Sequence, residues 1–217
     1  MRKRSPGNSR LLSPEEFLAR ERTASVRHEY VAGELYAMSP VSKRHSTIAL
    51  NIAPRLKDAA RGGSCTVYID VLTHVAHDRY YYPDVVIACE PHDHDEDVVQ
   101  APCFVVEITS PSTRATDLRE KAAAYRGVPS LHGYLVVEQK RRGVISYRRT
   151  SADSWDKTES AGTGVVEIPC VDLTLSLDDI YEGLELPRLQ VREGEDEYTL
   201  EDYESEHARL VALGFQH

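Results

Sequence analysis

YYPDVVIAC at residues 81–89 and CFVVEIT at residues 103–109 are the two stretches that decide the fold. Both are short and rich in β-branched and aromatic side chains, which is typical of strands. Their apolar residues are continuous instead of alternating with polar ones, so we expect central strands that are covered on both faces. Each stretch contains one acid, Asp84 in the first and Glu107 in the second.

The segments around these strands alternate between helical and extended patterns. Helices are predicted at residues 13–20, 42–60, 116–126 and 176–183, and strands at residues 28–36, 65–75, 133–138, 143–149 and 165–168. Residues 28–36 are expected to form a hairpin, Pro54 to kink or split the second helix, and Trp155 to lie in a loop. Strands with helices on both sides predict an α/β fold, in which a mixed central β-sheet is flanked by helices.

Composition favours one globular domain with terminal extensions. The chain has 217 residues, of which 41% are hydrophobic and 28% charged, an ordinary globular balance. Residues 1–12 are interpreted as a disordered basic N-terminus, residues 13–190 as the domain, and residues 191–217 as an acidic, partly helical tail. No apolar stretch approaches the roughly 20 residues of a membrane-spanning helix, and no signal-peptide core follows the basic start. A cytoplasmic protein without membrane contact is therefore expected.

The distribution of charge bears on possible partners. The formal net charge is −9, but residues 192–217 contain eight acids and two arginines and so hold −6 of it. The rest of the chain carries only −3 and includes a basic run, residues 140–149. Lys140, Arg141 and Arg142 in this run either contact nucleic-acid phosphates or fill an exposed hairpin.

The chain has four cysteines, Cys65, Cys89, Cys103 and Cys170. No two of them have the spacing of a CxxC motif. Three of them lie in apolar, strand-like runs, where a free cysteine behaves as a small hydrophobic residue. The sequence therefore predicts reduced core residues, and neither a disulfide framework nor a zinc site.

Asp84 and Glu107 are candidate metal ligands because they lie in runs that should be interior. Burying an unpaired carboxylate is costly, so each must become neutral or find a cation. Two carboxylates at neighbouring strand ends can chelate Mg²⁺, which prefers hard oxygen ligands, and such a metal can activate water for attack on a phosphoryl group. The alternative is structural: Asp84 caps a turn after Pro83, and Glu107 pairs with an arginine.

Lys121 is the third candidate. On the predicted helix it lies beside an apolar stripe that includes Ala122 and Tyr125, so its ammonium must reach outward or meet an acid. A helix that follows the strand of Glu107 returns across the sheet towards that residue, where the ammonium could offset charge in a transition state. The alternative is an exposed pair with Asp117 at i, i+4 spacing.

A longer pattern resembles a known family. In one continuous order within residues 13–187, the chain reads HEYVAGELYAMSP, YYPDVV, PCFVVEITSPST, DLREKAAAY, GVPSLHGYLVVE and VISYRR. This order is similar to the Uma-two endonuclease family, which belongs to the PD-(D/E)XK restriction-endonuclease-like superfamily. The resemblance implies a restriction-endonuclease-like fold and nuclease activity.

The resemblance also implies roles by position. Three acids and one histidine carry over: the PD aspartate is Asp84, the strand glutamate is Glu107, the glutamate after the hairpin glycine is Glu34, and the helical histidine is His45. The superfamily's lysine usually lies two residues beyond the glutamate, where this chain has Thr109. In the Uma-two pattern the lysine moves to the following helix and matches Lys121.

Three further features leave alternatives open. Glu34 either completes the metal shell or is a solvated hairpin residue. His45 is either a catalytic base or a hydrogen-bonded core histidine. The cluster His92-Asp93-His94-Asp95 has the composition of a metal site but lies in a polar loop, so a solvated loop is favoured.

These residues support a first hypothesis, an endonuclease that depends on Mg²⁺ (or Mn²⁺). It would hydrolyse DNA phosphodiester bonds with Asp84, Glu107, Lys121 and Glu34, in the cytoplasm and as a homodimer that cuts both strands. The alternative is a non-catalytic nucleic-acid- or protein-binding module on the same fold. A third hypothesis is a hydrolase that uses the same site on small phosphate esters, because a fold alone does not determine function.

Overall fold

The computed structural model describes residues 10–89, 95–109 and 116–186. The strands in this part of the chain are β1 His28–Val31, β2 Glu34–Ala37, β3 Thr66–Ile69, β4 Leu72–Ala76, β5 Arg79–Tyr81, β6 Val85–Ala88, β7 Val98–Val99, β8 Pro102–Thr109, β9 Gly133–Glu138, β10 Gly143–Ser151, β11 Ser154–Ala161, β12 Val165–Ile168 and β13 Leu173–Ser176. The helices are α1 Pro14–Glu21, α2 Lys43–Ala59, α3 Ala122–Arg126, which continues a π-helical turn at Asp117–Lys121, and α4 Leu177–Ile180, with a 3-10 turn at Pro169–Val171. The predicted α/β class is confirmed.

A six-stranded mixed sheet forms the centre of the molecule, in the order β11-β10-β9-β8-β6-β3. β8 and β9 are parallel, whereas the other neighbours are antiparallel. Residues 81–89 and 103–109 supply its central strands, and every residue of β6 and β8 is buried. Their continuous apolar pattern therefore reflects coverage on both faces, as predicted.

A five-stranded sheet, in the order β2-β1-β5-β4-β7, packs on the central sheet through a core that Val75, Tyr81 and Val86 share. It begins with the predicted hairpin, in which β1 and β2 pair antiparallel. At the turn, Ala32 and Gly33 have positive φ angles of 48° and 88°. Two successive positive φ values give the two-residue turn that matches the twist of a hairpin.

Helices cover both faces of the central sheet. On one face α2 contributes Ile48, Ile52 and Leu56 to the core around Val85. On the other face α3 contributes Tyr125 to the second core. Because successive residues of β6 point to opposite faces, this strand takes part in both cores.

The helix α2 continues through Pro54, so the prediction that this proline splits the helix is wrong. Proline cannot donate to the carbonyl of Leu50, four residues earlier. Leu50 and Pro54 are both exposed, so water can satisfy that carbonyl. The apolar face of the helix lies on the other side and keeps its contacts.

Two other local predictions differ from the structure. Residues 65–75 form not one strand but β3 and β4, which belong to different sheets, because the chain turns at Asp70 with a φ of 59°. Trp155 lies not in a loop but in β11, which pairs with β10 along the edge of the central sheet. Most of β11 is exposed, and a strand without a buried face lacks the hydrophobic pattern that marks strands in a sequence.

The prediction that the four cysteines form no disulfides is also wrong. Cys65 pairs with Cys89 and Cys103 pairs with Cys170 as disulfides. The partners are 24 and 67 residues apart in sequence. The first pair meets because β3 and β6 are neighbours in the central sheet, which spacing along the chain does not reveal.

Several predicted features lie outside the described residues. These are the basic N-terminus up to residue 9, His92, Asp93 and His94 of the polar loop, and the acidic tail. Within the ranges that the structure does describe, no helix combines the length and the apolar character needed to cross a membrane.

Candidate active site

The register of the central sheet brings Asp84 and Glu107 together. β6 and β8 are antiparallel with Val85 opposite Val106, so the next pair along the strands is Asp84 and Glu107. Residues opposite each other point to the same face, with Cβ atoms about 4.5–5.5 Å apart. The backbone N–H of Ile108 donates to Oδ2 of Asp84 at 2.5 Å, which holds the aspartate at this end of β8. The two carboxylates are therefore neighbours.

His45 contacts Asp84 from the first turn of α2. Its Nε2 lies 2.9 Å from Oδ1 of Asp84, and Ser42 caps the helix by accepting from the backbone N–H of His45 at 3.1 Å. Burial opposes protonation of His45, but the hydrogen bond and the charge of Asp84 outweigh it, so the pKa of His45 is raised above its usual 6.5. The histidine therefore acts on Asp84 and holds that carboxylate in position.

Lys121 lies buried among three carboxylates. Its Nζ is 2.8 Å from Oε1 of Glu107, 2.8 Å from Oε1 of Glu29 and 3.8 Å from Oδ1 of Asp117. Only 6% of Lys121 is exposed, so it is not part of a solvated surface pair. The cation beside Glu107 is thus a lysine from the following helix, while Thr109, two residues beyond Glu107, is buried at the end of β8.

A π-helical turn sets the position of Lys121. Residues Asp117–Lys121 form this turn directly before α3, and such wide turns are frequent at functional sites. Four residues after Lys121, the hydroxyl of Tyr125 donates to Oε1 of Glu107 at 3.0 Å. Both side chains reach one carboxylate oxygen because residues at i and i+4 share a helix face.

The site contains more acidic than basic groups. Three carboxylates, those of Glu29, Glu107 and Asp117, lie around the ammonium of Lys121, and the charge of Asp84 also acts on Glu107. Burial raises the pKa of Glu107 well above its usual 4.5; Lys121 opposes the rise, and the charges of the other three acids add to it. Carboxylate oxygens are hard ligands, the type that divalent cations such as Mg²⁺ and Mn²⁺ prefer.

Glu29 is the member of this cluster that sequence reasoning missed. It lies on β1 and is 7% exposed. Glu29 is opposite Tyr36, and Val31 is opposite Glu34, so all four side chains point to the same face of the hairpin. Glu29 lies two residues before Val31, which packs in the core, so the two side chains point to the same face of the strand. This spacing was the signal that could have identified Glu29 as a buried acid.

Glu34 was predicted from the family pattern and lies at the start of β2. Its Oε2 accepts a hydrogen bond from the hydroxyl of Tyr36 at 2.7 Å, and its side chain is half-buried. It therefore shares the face of Glu29, while Glu29 is the acid of this hairpin that reaches Lys121.

The basic run after β9 is engaged with acids. Arg141 forms an ion pair with Glu138, and Arg142 forms one with Asp178. Lys140 is exposed. The positive charge that this run can offer to phosphates is therefore partly neutralised.

The sequence also matches known proteins. A family model described as "Uma2: Putative restriction endonuclease" matches residues 14–178. Two uncharacterised proteins of Synechocystis sp. are similar along most of their length. One, slr1290, is 32% identical over 176 residues, which cover 80% of this chain and 93% of that protein. The other, sll1609, is 29% identical over 159 residues, which cover 71% and 90%.

A solved structure has a similar fold. It is the crystal structure of a putative nuclease belonging to DUF820 from Anabaena variabilis. The two structures superimpose with a TM-score of 0.64 at 16% sequence identity, over 78% of this chain and 97% of that chain. At this level of identity the likeness concerns the fold alone.

Proposed function

Because this chain belongs to the Uma2 family of putative restriction endonucleases, we propose that it is a metal-dependent endonuclease that hydrolyses the phosphodiester bonds of DNA. The observation that carries the proposal is the pair of adjacent carboxylates, Asp84 and Glu107, with Lys121 at 2.8 Å from Glu107. Two carboxylates and a lysine are the residues that the PD-(D/E)XK resemblance implies.

Asp84 and Glu107 are the residues that would hold Mg²⁺ or Mn²⁺, with Glu34 as a further carboxylate on the face of the neighbouring hairpin. A metal bound there would lower the pKa of a water molecule and stabilise negative charge on a phosphoryl group. The chain's own contribution is to keep the two carboxylates in register, so that both can ligate one cation.

Lys121 contributes a fixed positive charge. Its contacts of 2.8 Å with both Glu29 and Glu107 hold the ammonium in place before substrate arrives, and charges positioned in advance stabilise a transition state most effectively. His45 has the corresponding role for Asp84, whose Oδ1 it contacts at 2.9 Å. Glu29 and His45 are thus positioning residues.

The proposal includes the setting in which the enzyme works. One site of this kind cuts one strand at a time, so a homodimer is the assembly that cuts both strands of a duplex. The enzyme acts in the cytoplasm, where it has access to DNA.

Nicking of a supercoiled plasmid tests the proposal. The wild-type protein is expected to nick the plasmid with Mg²⁺ or Mn²⁺ and to stop when a chelator is added. Asp84→Asn and Glu107→Gln should each lose activity by roughly 10²–10³-fold, the range for a group that stabilises the transition state. Asp58→Asn, a matched change of an exposed acid on α2, should keep full activity, and circular dichroism should show that all variants fold.

Two results would contradict the proposal. Nicking that survives both Asp84→Asn and Glu107→Gln would mean that the activity arises elsewhere. Wild-type protein that binds DNA but nicks it with neither metal would support a non-catalytic binding module.

A further inference from the structure

Four cysteines from four elements meet at one end of the central sheet. Cys65 directly precedes β3, Cys89 directly follows β6, Cys103 lies at the start of β8, and Cys170 lies in the 3-10 turn at residues 169–171. β3 and β6 are antiparallel, and so are β6 and β8. The start of β3, the end of β6 and the start of β8 are therefore side by side.

The sulfur atoms form a compact cluster. The Sγ atoms of Cys89, Cys103 and Cys170 all lie within 4.8 Å of one another. Cys65 joins them through its disulfide with Cys89, and its Sγ is 3.4 Å from the carbonyl oxygen of Cys170. Cys89 of the first disulfide thus neighbours both sulfurs of the second disulfide.

This spacing suits a single tetrahedral metal ion. Zinc binds four thiolates at about 2.3 Å, which places the sulfurs about 3.8 Å apart. An iron–sulfur cluster is also held by cysteine thiolates, but it is larger and needs the sulfurs further apart. The sulfurs of Cys89, Cys103 and Cys170 already lie near this spacing, and Cys65 adjoins them through Cys89.

The compartment favours the reduced form of the cluster. Disulfides are rare in the cytoplasm, where thiol systems keep cysteines reduced, and the proposed function places the protein there. Each disulfide takes up two electrons and two protons from a dithiol, which becomes a disulfide itself. The two bonds then give four thiols, and one Zn²⁺ displaces the four thiol protons.

We propose that Cys65, Cys89, Cys103 and Cys170 hold one structural Zn²⁺ ion when the protein is reduced. Four protein ligands leave no open position for substrate, as in structural zinc sites. The ion would tie β3, β6 and β8 to the turn that carries Cys170. The disulfide-bonded cluster is then the metal-free, oxidised form of the same site.

Cobalt binding tests the proposal, because Co²⁺ replaces Zn²⁺ in tetrahedral thiolate sites and absorbs light. The full chain is reduced with dithiothreitol, freed of it by anaerobic gel filtration and titrated with Co²⁺. The expected result is thiolate-to-metal charge-transfer absorption that saturates at one thiolate-bound Co²⁺ per chain and that Zn²⁺ then abolishes. Asp84→Asn and Ser64→Ala should keep this absorption, whereas the double variant Cys103→Ser/Cys170→Ser should lose it.

Alkylation of the wild-type protein gives a second measurement that needs no variant. Zn²⁺ should protect all four thiols of the reduced protein from iodoacetamide, as counted by mass spectrometry. Reduced wild-type protein without the charge-transfer band, or a band that persists in the double variant, would overturn the proposal. Iron–sulfur absorption in the protein as isolated would overturn the zinc assignment. None of these readouts depends on DNA cleavage, so a failure here is distinct from a failure of the nuclease proposal.

Discussion

The two ends of strands β6 and β8 carry different chemistry. At one end Asp84 and Glu107 are neighbours, and at the other end Cys89 and Cys103 belong to the sulfur cluster. Cys103 and Glu107 are four residues apart in β8, which is on the order of 13 Å along a strand. Carboxylates are hard ligands and thiolates are soft ones, so the two proposed sites would select different metals.

The difference shows how each end is stabilised. The buried carboxylates require cationic partners, which Lys121 and His45 supply from helices outside the sheet, because an unpaired buried charge is costly. The cysteines bond to one another and require no such partner. Changes at the carboxylate end should therefore affect activity and stability together, and changes at the cysteine end should affect stability alone.

Lys121→Met is expected to have the largest effect. It leaves Glu29 and Glu107 buried without their ammonium, and removing one partner of a buried ion pair costs about 3–5 kcal/mol. Urea unfolding should show this loss, and plasmid nicking should disappear. Lys57→Met, a change of an exposed lysine on α2, is the control. A Lys121→Met protein as stable as the wild type would show that the carboxylate end does not depend on this cation.

The double variant Cys103→Ser/Cys170→Ser tests the other end. In oxidising buffer it removes one disulfide, and the free energy of unfolding should fall by about 2–4 kcal/mol. Nicking measured well below the unfolding temperature should stay within about twofold of the wild type, because distant sites act independently. A large fall in the nicking rate would mean that the two ends are coupled.

Gly133→Ala probes packing near the cysteine end. A Cβ atom at Gly133 would lie 2.4 Å from the ring of Phe104, which is 1% exposed and cannot move freely. Such overpacking costs about 1–3 kcal/mol, which thermal unfolding can measure. At Gly143, another strand glycine, the nearest atom would be 3.7 Å away, so Gly143→Ala should cost clearly less. Equal losses in the two variants would contradict this explanation.

Tyr125→Phe should produce the smallest effect, at the carboxylate end. It removes the hydroxyl that donates to Glu107, and a hydrogen bond to a carboxylate favours its ionised form. The pKa of Glu107 should therefore rise further, and the acid limb of the pH–rate profile should move to higher pH, by about one unit at most. Tyr134→Phe is the control, because that hydroxyl donates to the backbone carbonyl of Asp117. Equal shifts in both variants would argue against a specific role of Tyr125.

The strongest sequence predictions concerned residues whose environment is local. The helix predicted from residue 13 begins at a capping box of Ser13 and Glu16, and the predicted hairpin turns at Ala32 and Gly33. The apolar runs of β6 and β8 predicted that Asp84 and Glu107 lie inside the protein, where one is half-buried and the other buried. In each case the cause lies within a few residues of the feature.

Predictions failed where the environment depends on distant residues. Whether Pro54 breaks α2 depends on which side of the helix faces solvent. The strand β11 forms because β10 offers its edge, not because its own sequence is apolar. The place of Glu29 beside Lys121 depends on how the hairpin packs against the central sheet.

The α/β class, the two central strands and the acids within them can be predicted from the residues alone, because burial imposes a hydrophobic pattern along a single strand. The groups that those acids contact, and the convergence of the four cysteines, follow only from the folded arrangement. The reason is physical: contacts between strands depend on sheet order and register, and these bring together residues that are far apart in the chain.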